Sequence, residues 1–285
     1  MKINKVLKQH KHYPPYLKEI AHPPKEFFFI GEPLEDYLPA VAIIGSRKLS
    51  SYGKEATYRI AFDLAKQGVT IVSGLALGAD GIAHQACLDA GGRTIAVLAC
   101  GLDTIYPASH RNLAIEILKK GGTIISEYPE NTPALKQNFV ARNRIVSALS
   151  DMIIVTEAAE ASGTLITANF ALEQNKLVGA VPGQITSTLS IGTNNLLKAG
   201  AHVITGADDV SNILGIQASE KDRQDVFGDT AEEQLIIDIM KKGVTDLDQI
   251  QAQSNLDPAI FSQTITMLEI SDKVRPLGAN HWIIK

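Results

Sequence analysis

Six apolar runs without polar alternation constrain the fold of this chain more than any other feature. A strand that is covered on both faces has this composition, whereas a strand with one solvated face alternates. Strands that alternate with helices predict right-handed crossovers and one parallel sheet between two layers of helices. The runs lie at residues 41–44, 70–72, 94–99, 123–125, 152–155 and 177–181, and helical patterns at 52–67, 81–90, 112–120 and 165–175 lie between them.

The sequence divides into a sheet domain and two flanking sections. Residues 1–40 contain Pro14-Pro15, Pro23-Pro24 and three consecutive Phe residues, which predict an extended strap that packs on the sheet domain. Residues 41–213 form the predicted sheet domain. Residues 214–226 predict a linker, since they include a polar stretch without apolar periodicity. Residues 227–285 show three short amphipathic helical patterns and then two short strands, the order of a winged helix-turn-helix domain.

The predicted winged helix carries an excess of acidic residues. From Phe227 onward there are five Lys or Arg and nine Asp or Glu, which leaves 22 residues of each sign before it. A winged helix that grips duplex phosphate would be expected to have a basic face. We therefore expect this domain to contact protein rather than to bind DNA on its own.

The sequence gives no sign of export or of a resident metal. No apolar stretch approaches membrane-spanning length, and residues 1–12 are basic without the apolar segment of a signal peptide. Cys87 and Cys100 are the only cysteines, so neither a disulfide framework nor a tetrahedral cysteine site can be built. We expect a cytoplasmic protein without a metal or cofactor.

Cations cluster where the predicted strands end. In a parallel sheet, ligands bind at the carboxyl ends of the strands, because helix N-termini and backbone N–H groups point outward there. A basic mouth on a neutral domain suits a phosphate-rich ligand, and Phe139 offers a ring on which a base could stack. Spacing alone leaves open the alternative that two of the arginines pair with Glu127 and Glu157 and that Phe139 is core. The cations are Arg47, Lys48, Lys136, Arg142 and Arg144.

The sequence lacks the motifs of several enzyme classes. The first strand ends in Gly-Ser-Arg-Lys rather than G-x-G-x-x-G, no G-x-x-x-x-G-K-[ST] run exists, and neither Ser73 nor Ser126 lies in a G-x-S-x-G elbow. Asp80 and His84 share one predicted helix face and could form an acid/base pair or half of a metal site. The structural alternative is the more common one: Asp80 caps the helix and His84 bonds to a neighbouring turn. We predict no catalytic residue.

The chain contains a series of short motifs that, in their order along the sequence, resemble those of the DNA-processing protein A (DprA, also called Smf) family of bacteria. The resemblance covers nearly the whole chain, from the proline pairs of the strap onward. Its motifs are Gly45-Ser46-Arg47, Ser73-Gly74-Leu75-Ala76, Gly101-Leu102-Asp103 with Tyr106-Pro107, Ser126-Glu127-Tyr128, Phe139 with Ala141-Arg142-Asn143-Arg144, Ser162-Gly163-Thr164, Pro182-Gly183 and Gly192-Thr193-Asn194.

The resemblance implies an α/β fold, with an extended Rossmann-like parallel-sheet domain and a small C-terminal winged-helix domain. It implies a homodimeric protein without established catalysis that binds single-stranded DNA, protects incoming strands and loads RecA recombinase onto them in natural transformation. The family's DNA-contacting arginine, lysine and aromatic fall on Arg47, Lys136 and Phe139. Small residues in the pocket would let phosphate approach backbone N–H donors. The residues expected at the DNA site are Gly45, Ser46, Arg47, Ser73, Gly74, Lys136, Phe139, Arg142, Asn143, Arg144, Gly163 and Thr164.

Two other classes of function compete with this one. A phosphoribohydrolase of the lysine-decarboxylase-like family has a related fold, but it carries a glutamate closely after a Pro-Gly-Gly-x-Gly-Thr loop. The corresponding stretch here ends in Gly163-Thr164-Leu165-Ile166, and Ile166 cannot carry a proton. A passive nucleotide-sensing module with a regulatory winged helix would bind mononucleotides in place of strands.

Overall fold

The computed structural model describes residues 2–11, 13–34, 37, 39–160, 162–216, 226–278 and 280–284. The chain forms two compact units, Met1–Ala218 and Ser219–Lys285. Most of the predicted linker, residues 217–225, lies outside the described residues, as does Ala279 in the turn of the predicted hairpin. Within the described ranges, no helix combines the length and the apolar composition needed to cross a bilayer.

In the part of the first unit that the structure describes, nine strands form one sheet in the order β1-β2-β6-β5-β4-β3-β7-β8-β9. Strands β3 to β9 are parallel, which confirms the predicted parallel sheet. The strands are β1 (Asn4–Leu7), β2 (Glu26–Gly31), β3 (Ala40–Ile44), β4 (Thr70–Ser73), β5 (Thr94–Leu98), β6 (Thr123–Ser126), β7 (Met152–Val155), β8 (Leu177–Ala180) and β9 (His202–Val203).

The segment predicted as a strap adds two antiparallel strands to this sheet. β2 pairs with β6, and β1 pairs with β2 at the edge. Phe27 and Phe29 pack on one face of the sheet while Phe28 and Ile30 pack on the other. An apolar run bounded by prolines does not show the strand-helix alternation that marks the rest of the sheet. This is why the sequence suggests only an extended segment here.

Helices cover both faces of the sheet, as predicted. Ile95 and Val97 of β5 belong to the core that includes α5 and α6, whereas Ala96 and Leu98 belong to the core that includes α3 and α4. Successive residues of a strand point to opposite faces, so both faces are buried. The helices of this unit are α1 (Pro15–Glu19), α2 (Ser51–Lys66), α3 (Ala79–Asp89), α4 (Arg111–Lys119), α5 (Lys136–Ala148), α6 (Gly163–Glu173), α7 (Ile191–Lys198) and α8 (Ala207–Leu214).

The direction of strand addition reverses between β3 and β7. The sheet grows from β3 through β4 and β5 to β6, and α5 then carries the chain back to β7 on the other side of β3. At such a switch point the loops that leave the two neighbouring strands diverge and form a crevice at their carboxyl ends. The segments after β3 and β7 are therefore where this fold binds ligands.

The second unit has the predicted winged-helix arrangement. It consists of α9 (Ala231–Lys241), α10 (Leu247–Ser254), α11 (Pro258–Ile270) and the hairpin of β10 (Val274–Gly278) and β11 (His281–Ile284). Asp257 caps α11 by accepting a hydrogen bond from the N–H of Ala259, and Pro258 occupies the first turn. Ile260, Met267 and Ile270 are exposed on α11, and Glu269 is its only charged residue.

Candidate nucleic-acid interface

Hydrogen bonds join the two loops that leave β3 and β7. The N–H of Ser46 donates to the carbonyl oxygen of Glu157 at 2.7 Å. Thr164 Oγ1 donates to the carbonyl oxygen of Gly45 at 3.0 Å, and Ser162 caps α6 by accepting from the N–H of Thr164. The predicted residues Gly45, Ser46, Gly163 and Thr164 therefore meet at the switch point. Gly163 is exposed, and a Cβ there would have no heavy atom of a described residue within 4 Å, so among these residues none covers the N-terminus of α6 at Gly163.

The loop after β3 presents Arg47 to solvent. Ser46 Oγ accepts from the N–H of Lys48 at 3.0 Å and donates to its carbonyl oxygen at 2.9 Å, which closes a tight turn around Arg47. Gly78 lies directly behind this turn with a φ of 79°, and a Cβ there would collide with the carbonyl oxygen of Ser46. The start of α3 thus supports the backbone from which Arg47 extends.

Arg47 lies against an aromatic pair. Its Cζ is 5.4 Å from the centroid of the Phe139 ring, within cation–π range. The Tyr106 ring contacts Phe139 edge-on, with centroids 5.4 Å apart and planes at 61°. Phe139 is half-buried and Tyr106 is 47% exposed, so Phe139 is not a core residue. Lys136 is exposed one turn before Phe139 on α5, on the same helix face. We call these four residues the Arg47–Phe139 surface.

Arg142 points into the fold rather than toward solvent. It is 4% exposed, and its guanidinium donates to the carbonyl oxygens of Gly74, at 2.7 Å, and of Val97. A Cβ at Gly74 would collide with this guanidinium, so the glycine accommodates an arginine. Burial lowers the pKa of Arg142 and raises the pKa of Asp80, and the opposite charge of each partner opposes that shift. The buried guanidinium of Arg142 therefore links the carboxyl ends of β4 and β5.

Arg144 is held by a carboxylate. Its two terminal nitrogens pair with the two carboxylate oxygens of Glu127, both at 2.6 Å, and its Nε donates to the carbonyl oxygen of His22. The ion-pair alternative raised by the spacing is therefore correct for Arg144 and Glu127. Glu157 instead accepts from the N–H and the hydroxyl of Ser50 at the N-terminus of α2. Both Arg142 and Arg144 thus make contacts within the protein, and neither belongs to the Arg47–Phe139 surface.

The remaining predicted residues are structural in this conformation. Ser73 is fully buried and its hydroxyl donates to the carbonyl oxygen of Ile43 at 2.7 Å, while the half-buried Asn143 accepts from Nε of Arg142. Asp80 does not cap α3 as expected, since Gly78 is the N-cap residue; its carboxylate instead accepts from the N–H groups of Gly74 and Ala76 in the preceding loop. These contacts hold the ends of β3 and β4 in register with α3.

His84 is also structural, but its partner lies on strand β5 rather than in the neighbouring turn that we expected. Its Nδ1 donates to the hydroxyl of Thr94 at 2.7 Å, because that hydroxyl donates to the carbonyl of Ile71. Burial lowers the pKa of His84 to about 3, so the ring is neutral. Among the described residues, no group of three or more His, Cys, Asp or Glu side chains is placed to hold a metal ion.

One feature of this edge of the sheet is not predictable from the sequence. An open cleft of about 610 Å³ lies beside Arg47, between the first turns of α2 and α3 and the start of α4. Its residues show no common sequence spacing, because they come from α2, α3 and α4, the short turn before α4 and two loops. Its lining includes Arg47, Lys48, Lys54, Leu77, Gln85 and His110. We call it the α2–α4 cleft.

Comparison with known proteins identifies relatives of both units. The sequence model of the family described as DNA recombination-mediator protein A matches residues 4–215, and that of the DprA winged helix domain matches residues 219–280. Protein Smf of Escherichia coli (strain K12) is 44% identical over 198 residues, which are 70% of this chain and 53% of that protein. The chain thus spans about half the length of this relative.

Two solved structures share the fold. DNA processing protein A (DprA) from Streptococcus pneumoniae matches with a TM-score of 0.69 and 38% identity, over 74% of each chain. DNA processing protein A from Helicobacter pylori, a structure concerned with its single-stranded DNA binding mode, matches with a TM-score of 0.69 and 35% identity, over 76% of this chain and 98% of that chain. These relatives do not favour the phosphoribohydrolase alternative. The chain belongs to the DNA recombination-mediator protein A family, and its second unit is a winged helix domain of the DprA type.

Proposed function

We propose that this protein binds single-stranded DNA along the carboxyl edge of its sheet and acts as a recombination mediator that loads RecA recombinase onto the bound strand. One observation carries the DNA-binding part of the proposal: Arg47 and Lys136 are exposed beside the half-buried ring of Phe139. Within the described part of the chain, neither cation pairs with a carboxylate. The relative from Helicobacter pylori, which binds single-stranded DNA, supports the same choice of ligand.

The Arg47–Phe139 surface suits an unpaired strand rather than a duplex. Cations bind the sugar-phosphate backbone of either form, but a base can stack on Phe139 only if it is free of its partner and neighbours. Every base has a π-face, and phosphates carry no sequence information. Binding through these groups is therefore expected to tolerate any sequence.

The N-terminus of α6 offers a further anion contact. Gly163 leaves room for a phosphate there, and the positive end of the helix dipole faces the opening. Arg142, Asn143 and Arg144 act in the proposal by fixing α5 and the strand ends. They let Lys136 and Phe139 face solvent at fixed positions.

The biological part of the proposal comes from family membership. We infer a homodimer without catalytic activity that works in the cytoplasm during natural transformation and protects incoming strands.

Strand exchange by RecA on DNA coated with a single-strand-binding protein tests the loading step. Addition of this protein should shorten the delay before exchange, and an unchanged time course would contradict the RecA role while leaving strand binding intact.

Fluorescence anisotropy tests the binding step directly. Labelled single-stranded and duplex oligonucleotides of the same sequence are titrated with the protein across a series of salt concentrations. We expect tighter binding of the single strand and an affinity that falls with salt. Equal affinity for both forms, or release of free base from nucleoside monophosphates, would contradict the proposal in favour of a general phosphate site or of an enzyme.

A further inference from the structure

The α2–α4 cleft is a cationic site that the Arg47–Phe139 surface does not include. Lys48 follows Arg47 in the loop after β3, and Lys54 is exposed in the first turns of α2. Neither lysine forms an ion pair with any residue that the structure describes, and none of the lining residues is acidic. A concave site lined by one sign of charge concentrates counterions, even on a domain whose total charge is neutral.

The walls of the cleft combine charge with apolar surface. Leu77 is 47% exposed at its rim, and Leu113 and Ile82 are half-buried along the wall. His110 is held in place because its Nδ1 donates to the carbonyl oxygen of Leu75 at 2.9 Å. Cations beside an apolar wall suit a ligand that has phosphates and a flat, largely apolar base. A volume of about 610 Å³ is in the range of sites that hold a small organic ligand.

The cleft is continuous with the Arg47–Phe139 surface through two shared segments. Arg47 lines the cleft while its guanidinium lies against Phe139. The segment that supplies Tyr106 to the aromatic pair supplies His110 to the cleft four residues later. A strand that leaves Phe139 on the Arg47 side therefore enters the cleft without crossing acidic lining.

We infer that the α2–α4 cleft is a second subsite for the same single strand, in which Lys48 and Lys54 contact phosphates and Leu77 packs against a base. This inference rests on the proposed single-strand binding. It adds a direction to that proposal: the strand runs from Phe139 past Arg47 toward the first turns of α2. Short strands fill the Arg47–Phe139 surface first, and longer strands reach the cleft.

The dependence of affinity on strand length tests this path. Oligothymidylates of about 4 and about 16 nucleotides span the site sizes of single-strand-binding folds. We expect Lys54→Gln to weaken binding of the longer strand about 5-fold at 0.1 M salt, to reduce its salt slope by about 0.7, and to leave the shorter strand unaffected. Lys136→Gln should weaken both strands. Lys66→Gln is the matched control, because Lys66 lies at the other end of α2, roughly 18 Å along the helix axis.

The outcomes separate the inference from the function on which it rests. If Lys54→Gln binds both strands like the parent while Lys136→Gln does not, the cleft is not a subsite and the proposed function stands. If Lys54→Gln weakens both strands equally, the assigned direction is wrong. If the parent binds neither strand, the proposed function and the inference both fail.

Crosslinking supplies a readout that does not depend on charge. Both native cysteines are buried, so Leu77→Cys adds an accessible thiol at the rim of the cleft. The longer strand, carrying an activated disulfide on one base, should form a mixed disulfide with Leu77→Cys, and unlabelled single strand should compete. Val203→Cys, at an exposed position on β9, is the control. Equal crosslinking at both positions would overturn the inference.

Discussion

At the scale of single residues, similar side chains in one short segment have opposite roles. Lys136 is exposed and unpaired in the described part of the chain, whereas Arg142 and Arg144, both about two turns later on α5, are turned inward. A helix rotates its side chains by about 100° per residue, so three cations within nine positions need not share a face. Of these three cations on α5, only Lys136 is exposed to solvent.

Removal of the Lys136 charge should change the electrostatic part of binding. We expect Lys136→Ala to reduce the slope of log affinity against log salt by about 0.7, because one fewer cation releases counterions from a single strand. Lys119→Ala, at the exposed last position of α4, should leave the slope unchanged. Anisotropy titrations across salt measure both. Parent-like binding by Lys136→Ala at every salt concentration would remove this residue from the site.

Truncation of Phe139 should change the part of binding that salt does not affect. We expect Phe139→Ala to cost on the order of 1–3 kcal/mol of binding free energy with little change in the salt slope, since base stacking is lost. Phe139→Tyr keeps the ring and should retain most of the affinity. A similar loss in both variants would point to packing with Tyr106 rather than to stacking with a base.

Burial of His84 should make the stability of the fold depend on pH. The pKa of its imidazole falls from 6.5 to about 3 on folding, so between these values the unfolded chain binds more protons than the native protein. The free energy of unfolding therefore falls as pH falls through this range, with a slope of up to about 1.4 kcal/mol per pH unit from this group. Urea denaturation at several pH values should show a shallower dependence for His84→Gln. An unchanged dependence would mean that His84 does not titrate on unfolding.

At the scale of elements, the edge of the sheet is built by close contacts between loops and helix ends. Gly74 leaves room for Arg142, and Gly78 lets the start of α3 approach the turn around Arg47. Ser50 and Glu157 occupy the N-terminus of α2, whereas the N-terminus of α6 remains open at Gly163. The two helix ends at the switch point therefore differ, because one already holds a carboxylate and the other can accept an anion.

Two glycine substitutions should separate these structural and binding roles. We expect Gly74→Ala to lower the free energy of unfolding by about 1–3 kcal/mol, because its methyl group displaces the Arg142 guanidinium. Gly163→Ala should leave stability unchanged or slightly raised, because its Cβ meets no atom of the residues that the structure describes and alanine favours the helix. It should nevertheless weaken strand binding, since the methyl group limits approach to the α6 N-terminus. Chemical denaturation and anisotropy on both variants measure these effects, and unchanged affinity in Gly163→Ala would exclude a phosphate at this helix.

At the scale of the whole molecule, the sequence predicts the architecture better than it predicts the site. Continuous apolar strands and alternating helices are local signals, so strands β3 to β8 are predictable, and the proposal of a site at their carboxyl ends follows from them. Strand β2 cannot be predicted from local signals, because it pairs with β6, almost a hundred residues away in the chain. The inward orientation of Arg142 and Arg144 and the position of Lys54 in the α2–α4 cleft depend on packing between distant helices. No local spacing encodes that packing.

The winged helix should contribute no phosphate contact to DNA binding. The exposed side of α11 has no cation, and its Gln263 is exposed near the end that such helices direct into the major groove. We expect Gln263→Glu, which adds a negative charge without changing shape, to leave single-strand and duplex affinities of the full chain unchanged. Anisotropy with both forms of DNA tests this. A loss of affinity specific to duplex DNA would show that α11 does approach DNA phosphates.

Arg144 joins three distant parts of the chain, since it pairs with Glu127 after β6 and donates to the carbonyl oxygen of His22 before β2. The helix that carries Lys136 and Phe139 is thus anchored by contacts within the protein itself. A preorganised surface loses less conformational entropy on association, and this smaller loss makes binding tighter. The affinity of the proposed DNA site should therefore depend on the N-terminal residues around His22, although they contribute none of the cations of the Arg47–Phe139 surface.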